Sequence, residues 1–238
     1  MFFPLLLIFE TAPGRASAAP SVGLHPQAGI PGAVRREFWS GVPMAVATWS
    51  LGGLYLALAP AIVRQAFGLN GASIDGVAIG LLTGAGAIVP GAARAVPARA
   101  VAVAANLAML TGVAAALAAI ELRSIALFLA ASAVGGAGFG AGFSSWIRLM
   151  IPDVAPAERT RFYSAFYLVN YLAFGLPALV AGELIGAVGL DTTVLAYGAL
   201  AMTAAVAGLR NEISMGCSDK TFQRNTCSFL MCGWKASN

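Results

Sequence analysis

Residues Phe38 to Val63 read FWSGVPMAVATWSLGGLYLALAPAIV, 26 residues without a single Asp, Glu, Lys or Arg, bounded by Arg35-Arg36-Glu37 on one side and Arg64 on the other. A helix rises about 1.5 Å per residue, so about 20 predominantly apolar residues cross a hydrocarbon core of about 30 Å. This run is long enough to span a bilayer. Five more follow it: Gly76 to Ala93, Ala100 to Ile120, Ser124 to Ile147, Phe162 to Gly182 and Thr192 to Leu209, of 18, 21, 24, 21 and 18 residues. All 24 charged residues of the chain lie outside these six runs. A charge at the bilayer centre costs about 2.5 to 3.5 kcal/mol, which accounts for the segregation. A membrane β-barrel would instead alternate polar and apolar residues in segments of about 10. The runs are continuously apolar, so the expected fold is all-α, a polytopic transmembrane bundle of six helices.

The averages agree with the local reading. Of the 238 residues 59% are hydrophobic and 10% are charged, and the mean hydropathy is +0.81. Soluble domains have about 45 to 50% apolar and about 25% charged residues. A water-soluble globular protein, a disordered chain and a disulfide scaffold built on three Cys are thereby excluded. The formal charge of +4 does not imply nucleic acid, because the basic residues sort by membrane side. Twelve of the 14 Lys and Arg fall on the side of both ends of the six-helix unit; only Arg64 and Arg123 fall on the other. By the positive-inside rule both ends are expected to be cytoplasmic, in an inner or plasma membrane, with the lipid bilayer as the first partner.

The two ends differ from the middle, and three segments result: 1–37, 38–210 and 211–238. Phe2 to Phe9 is too short to span and is read as the end of a truncated preceding helix, followed by a Pro, Gly and Ala-rich cytoplasmic linker. A signal peptide with Ala16-Ser17-Ala18 as its cleavage site competes, but Glu10 follows the apolar part and a basic beginning is missing. Residues 38–210 form the transmembrane domain. Residues 211–238 hold both Lys and all three Cys (Cys217, Cys227 and Cys232) and are read as a discordant cytoplasmic tail, solvated or disordered. Cys spacings of ten and five, with the lone His25 far away, do not make a metal site, so neither metal nor cofactor is expected.

Within the spans, Gly136-Ala137-Gly138-Phe139-Gly140-Ala141 matches a dinucleotide fingerprint in letters only. That motif needs a strand, a turn and a soluble helix start. Here Gly136 and Gly140 stand four apart inside a span, the spacing that lets helices approach closely. Gly84 and Pro90 in the second span, and Gly175, Pro177 and Gly182 in the fifth, interrupt the middle member of each helix triplet. Corresponding interruptions in two halves are a pointer to repeat-built transporters. No pairing of nucleophile and base, and no pair of carboxylates within a span, points to an enzyme.

Two polar, aromatic faces carry the site expectation. Tyr163, Tyr167, Asn170 and Phe174 are spaced 4, 3 and 4 apart on the fifth span, with Tyr171 beside them. On the first span Thr48, Gly52 and Tyr55 share a face, with Trp49 adjacent. Together these faces could line a cavity; equally, the aromatics could serve packing, with the Asn170 amide bonded to another helix.

The Phe9-Glu10-Thr11 ending, the Pro-rich linker, the string from Trp49 through Gly52-Gly53 to Pro60 and the string from Tyr163-Ser164-Ala165-Phe166-Tyr167 to Gly175-Leu176-Pro177 resemble the C-terminal half of a major facilitator superfamily transporter. The resemblance implies a six-helix half built as two three-helix repeats, with a cavity lined mainly by its first, second, fourth and fifth helices. It also implies a cytoplasmic G-x-x-x-D-R-x-G-R loop, of which Gly91 and Arg99 match while Ala95, Val96 and Ala98 depart. The function it implies is movement of a small organic solute or drug by alternating access, with a missing N-terminal six-helix half as partner. The alternative is a non-transporting helix bundle or degenerate fragment that assembles with a partner.

Overall fold

The computed structural model describes residues 29–68 and 72–218. Its long helices are α1 (Arg35–Ala66), α2 (Ala72–Ala92), α3 (Ala98–Glu121), α4 (Ile125–Met150), α5 (Arg159–Val188) and α6 (Leu190–Ser218), and no strand occurs among the described residues. The fold is an all-α bundle. Each uncharged run lies within or largely within one helix that is long and apolar enough to cross a membrane. The helices continue past these runs into charged flanks, since a backbone polar group left unpaired in hydrocarbon costs several kcal/mol. The N-terminal stretch 1–28 and the Cys-bearing residues 219–238 lie outside the described residues.

Two connections are short enough to force antiparallel neighbours. Between α3 and α4 the chain turns at Arg123, which takes a left-handed φ of 49°, and the Ser124 hydroxyl caps α4 by accepting from the Leu127 amide at 3.4 Å. Between α5 and α6 a single residue, Gly189, turns the chain at φ 82°, where a side chain would be strained.

The six most extensive helix pairings have an internal symmetry, which the smaller α1–α2, α1–α3 and α5–α6 contacts do not share. The central α1 packs against α5 and α6; α4 packs against α2 and α3; α1 meets α4, and α3 meets α6. Exchanging α1 with α4, α2 with α5 and α3 with α6 maps this set of contacts onto itself. The first helix of each triplet thus packs on the second and third helices of the other.

Glycine decides how closely α4 can be approached. A side chain at Gly140 would strike the Gly86 carbonyl, and one at Gly136 would strike the Leu82 backbone, so α2 lies directly on α4. On the other side of α4, a Cβ at Gly112 would stand 2.6 Å from the Gly135 Cα, bringing α3 equally close. The glycines of the interrupted helices behave differently. Around Gly84, Gly175 and Gly182 there is open space, and Pro90 and Pro177 lie inside continuous helices α2 and α5.

The basic residues gather at one end. Arg99 at the start of α3 reaches Glu37 at the start of α1 and Glu212 near the end of α6, while Arg148 at the end of α4 reaches the α2–α3 connection. That end also carries Arg35, Arg36, Arg94, Arg159, Arg161 and Arg210; Arg64 and Arg123 lie at the opposite ends of their helices. The sixth helix does not stop with its uncharged run. It extends through residues read from sequence as the beginning of a solvated tail, and Glu212 is buried within the bundle.

Candidate functional site

The two faces expected from sequence meet at one bond. Trp49 of α1 donates its indole N–H to the side-chain oxygen of Asn170 on α5, and the Asn170 amide nitrogen donates to the Phe166 carbonyl one turn earlier at 2.7 Å. Asn170 is buried, and its pairing to α1 meets the need of an amide at membrane depth for a partner. Around the indole, three rings stand edge-on: Phe139 and Phe143 of α4 at 5.3 and 5.9 Å, and Phe174 of α5 at 6.0 Å. Edge-to-face contacts of this kind suit the ring quadrupoles. Three helices are thereby joined around one indole. The Phe139 ring also fills the space over Gly52 and Gly86, where the absence of Cβ atoms admits it.

The other predicted residues divide into an inner and an outer set. Thr48 is buried, with its hydroxyl 3.6 Å from the Met109 sulfur. Tyr55 is enclosed in the core, its ring stacked on Phe128 at 5.6 Å and its hydroxyl 2.9 Å from that of Ser132. It therefore belongs to the interhelical packing, two helical turns from Thr48. Tyr163, Tyr167 and Tyr171 instead form a ladder along the edge of α5, with ring centroids 6.5 and 6.4 Å apart. Tyr167 is 44% exposed and Tyr171 is 71% exposed. Helical spacing put Asn170 and the tyrosines on one broad face; the structure turns Asn170 and Phe174 inward and leaves the tyrosine edge open. Leu168, Leu172 and Leu179 cover a further, wholly apolar strip of the same helix.

The basic end holds a second polar cluster. Arg99 lies 2.9 Å from Glu37 and 3.5 Å from Glu212, the latter without hydrogen-bond geometry. Asn211 donates to the Ser40 carbonyl at 2.9 Å, reinforcing the α1–α6 contact beside it. Of the two loop residues singled out from sequence, Arg99 is thus a nearly buried link among α1, α3 and α6, and Gly91 is exposed with its carbonyl accepting from Arg94 at 3.0 Å. Arg148 donates to the carbonyls of Ala93, Arg94 and Val96 and so holds the α2–α3 connection onto α4.

Several of these partners escaped the sequence reading although a signal was present. Phe139, Phe143 and Trp146 are spaced 4 and 3 apart, one face of α4. Ala201, Ala205, Gly208 and Glu212 are spaced 4, 3 and 4 apart, so the buried face of α6 continues in register into the charged flank. Among the described residues there is no group of His, Cys, Asp and Glu able to hold a metal. No protein-family model, curated protein or solved structure matches the chain.

Proposed function

We propose that this chain is one six-helix half of a membrane transporter of the major facilitator type, which moves a small organic solute or drug by alternating access. The observation that carries the reading is the exchange symmetry of the helix contacts: two triplets, related by swapping their members, place the Trp49–Asn170 junction where helices from both triplets meet. Transporters built from repeats place their sites at such interfaces, near the membrane midplane. The open tyrosine edge of α5 and the neighbouring aromatic cluster are an uncharged lining suited to an organic solute. In this reading a second six-helix half closes the cavity, and both ends of the unit face the cytoplasm of an inner or plasma membrane.

Water accessibility tests the reading. Single cysteines at Tyr167 and Tyr171, and at Leu168 and Leu172, would be introduced into the full chain with its three native Cys replaced by Ser, in the cells that naturally make it and so alongside the second six-helix half. Tyr167→Cys and Tyr171→Cys are expected to react with a membrane-impermeant maleimide in cell membranes, because the reactive thiolate forms only in contact with water. Leu168→Cys and Leu172→Cys are expected to stay unreactive in lipid. Equal silence of all four would sink the cavity and favour a non-transporting bundle.

A further inference from the structure

A groove separates α2 from α3 on the side of α4 away from the Trp49 cluster. Both helices are pinned to α4, α2 through Gly86 and Gly140 and α3 through Gly138 and Gly112, yet they scarcely touch one another. The floor between them is made by Ala137 and Ala141, whose methyl groups are too short to fill it. Val89 and Ala93 form one wall, Ala104 and Ala108 the other, and the volume is about 290 Å³. Every lining side chain is Ala or Val. The groove runs to the basic end, where Val96 and Ala104 are exposed.

The charge at that end is not neutralised. Arg94 sits between the lining residues Ala93 and Val96 and is exposed; Arg148 spends its N–H groups on the carbonyls of the same connection. Among the described residues the ion pairs are those of Arg99, and neither Arg94 nor Arg148 faces a carboxylate. An apolar groove at membrane depth that ends in two uncompensated guanidinium groups matches a molecule with an apolar chain and an anionic head. Basic pockets between transmembrane helices recognise such headgroups, and each CH2 buried contributes to holding the chain.

We propose that the α2–α3 groove binds an anionic phospholipid, with one acyl chain lying on Ala137 and Ala141 and the phosphate drawn to Arg94 and Arg148. The full chain would be reconstituted in phosphatidylcholine nanodiscs doped with a trace of either phosphatidylglycerol or phosphatidylcholine carrying a diazirine on one acyl chain, so that each probe competes with the same bulk lipid for the groove. Photolabelling would then be located by peptide mass spectrometry. Labelling of residues 89–108 and 137–141, relative to the outer strip of α5 around Leu172 and Leu179, is expected to be about fivefold higher with the anionic probe, the size of one basic residue's attraction to an anionic surface. Arg94→Gln is expected to reduce that preference, and Ala104→Phe to remove groove labelling while the α5 strip is labelled as before. Arg94 is exposed, so its variant keeps the test open if the Ala104 variant does not fold. Equal labelling of groove and strip, equal labelling by the two probes, or chain-to-chain adducts in place of lipid adducts would overturn the proposal.

Discussion

The central helices α1 and α4 and the flanking helices α2 and α5 have nearly the same hydropathy but different surroundings. Two thirds of the central window of α1 and half that of α4 are buried, against about a tenth for α2 and α5. Lipid tails are as apolar as leucine, so hydrophobicity gives no reason to prefer a protein neighbour over a lipid one. What distinguishes the central pair is where its glycines lie: Gly41 is under the Trp146 ring, Gly53 under the Tyr197 hydroxyl, and Gly135, Gly136, Gly138 and Gly140 of α4 are in close contact, whereas Gly76, Gly80, Gly84 and Gly91 of α2 meet open space. The flanks keep an open aromatic edge on α5 and exposed Val77, Leu81 and Ile88 on α2. Central helices are held by close backbone approach, while the flanks keep much of their surface uncovered.

The contrast can be broken most strongly at the charged link that fastens the central bundle. Arg99→Met leaves the buried Glu212 carboxyl without its partner, and removing one member of a buried pair costs up to about 3 to 5 kcal/mol, less to the extent that the carboxyl takes up a proton. A large drop in resistance to unfolding by denaturing detergent, followed by helicity, is the expected outcome. Adding Glu212→Gln should recover much of it, and no recovery would mean that Arg99 acts by packing alone. Glycine comes next. Gly140→Leu drives a side chain into the Gly86 backbone and is expected to destabilise by about 1 to 3 kcal/mol or more, whereas Gly84→Leu meets open space and should stay within about 0.5 kcal/mol of the parent. Equal losses at the two sites would erase the distinction between centre and flank.

Smaller effects sharpen it. A double-mutant cycle of Trp49→Phe and Asn170→Leu should give a coupling of about 0.6 kcal/mol, the mean for interhelical hydrogen bonds in membranes, and no more than the maximum of about 1.7 kcal/mol. Additive single effects would show that the Trp49–Asn170 bond does not hold α1 to α5. Smallest of all, Tyr171→Phe on the open edge should leave unfolding unchanged within about 0.5 kcal/mol. A clear loss there would place that hydroxyl in a structural role.

Much of the architecture was legible because its causes are local. The six uncharged runs located all six helices, and the spacing on the fifth span singled out Asn170, whose partner proves to be Trp49, noted only as adjacent to the face of the first span. The fate of Tyr55 was not legible: its burial depends on Phe128 and Ser132, more than seventy positions away. Nor was that of Glu212, which fell in a segment read from its Cys and Lys content as a solvated tail, whereas the structure buries it beside Arg99. The four-apart glycines of α4 announced close approach, while only the assembled helices identified Leu82 and Gly86 as what they approach.

The sequence by itself determined how many helices there are, roughly where each begins and ends, and which end of the bundle is basic. Those features follow from the cost of placing charges and unpaired backbone groups in hydrocarbon, a cost that each segment bears alone. Only the tertiary structure decided which face of each helix is covered, which polar groups pair, and where a groove or an open edge remains. In a chain whose side chains are nearly as apolar as the lipid around them, that choice rests on shape, on the fit of glycine against backbone and ring against ring, and shape exists only once the helices have met.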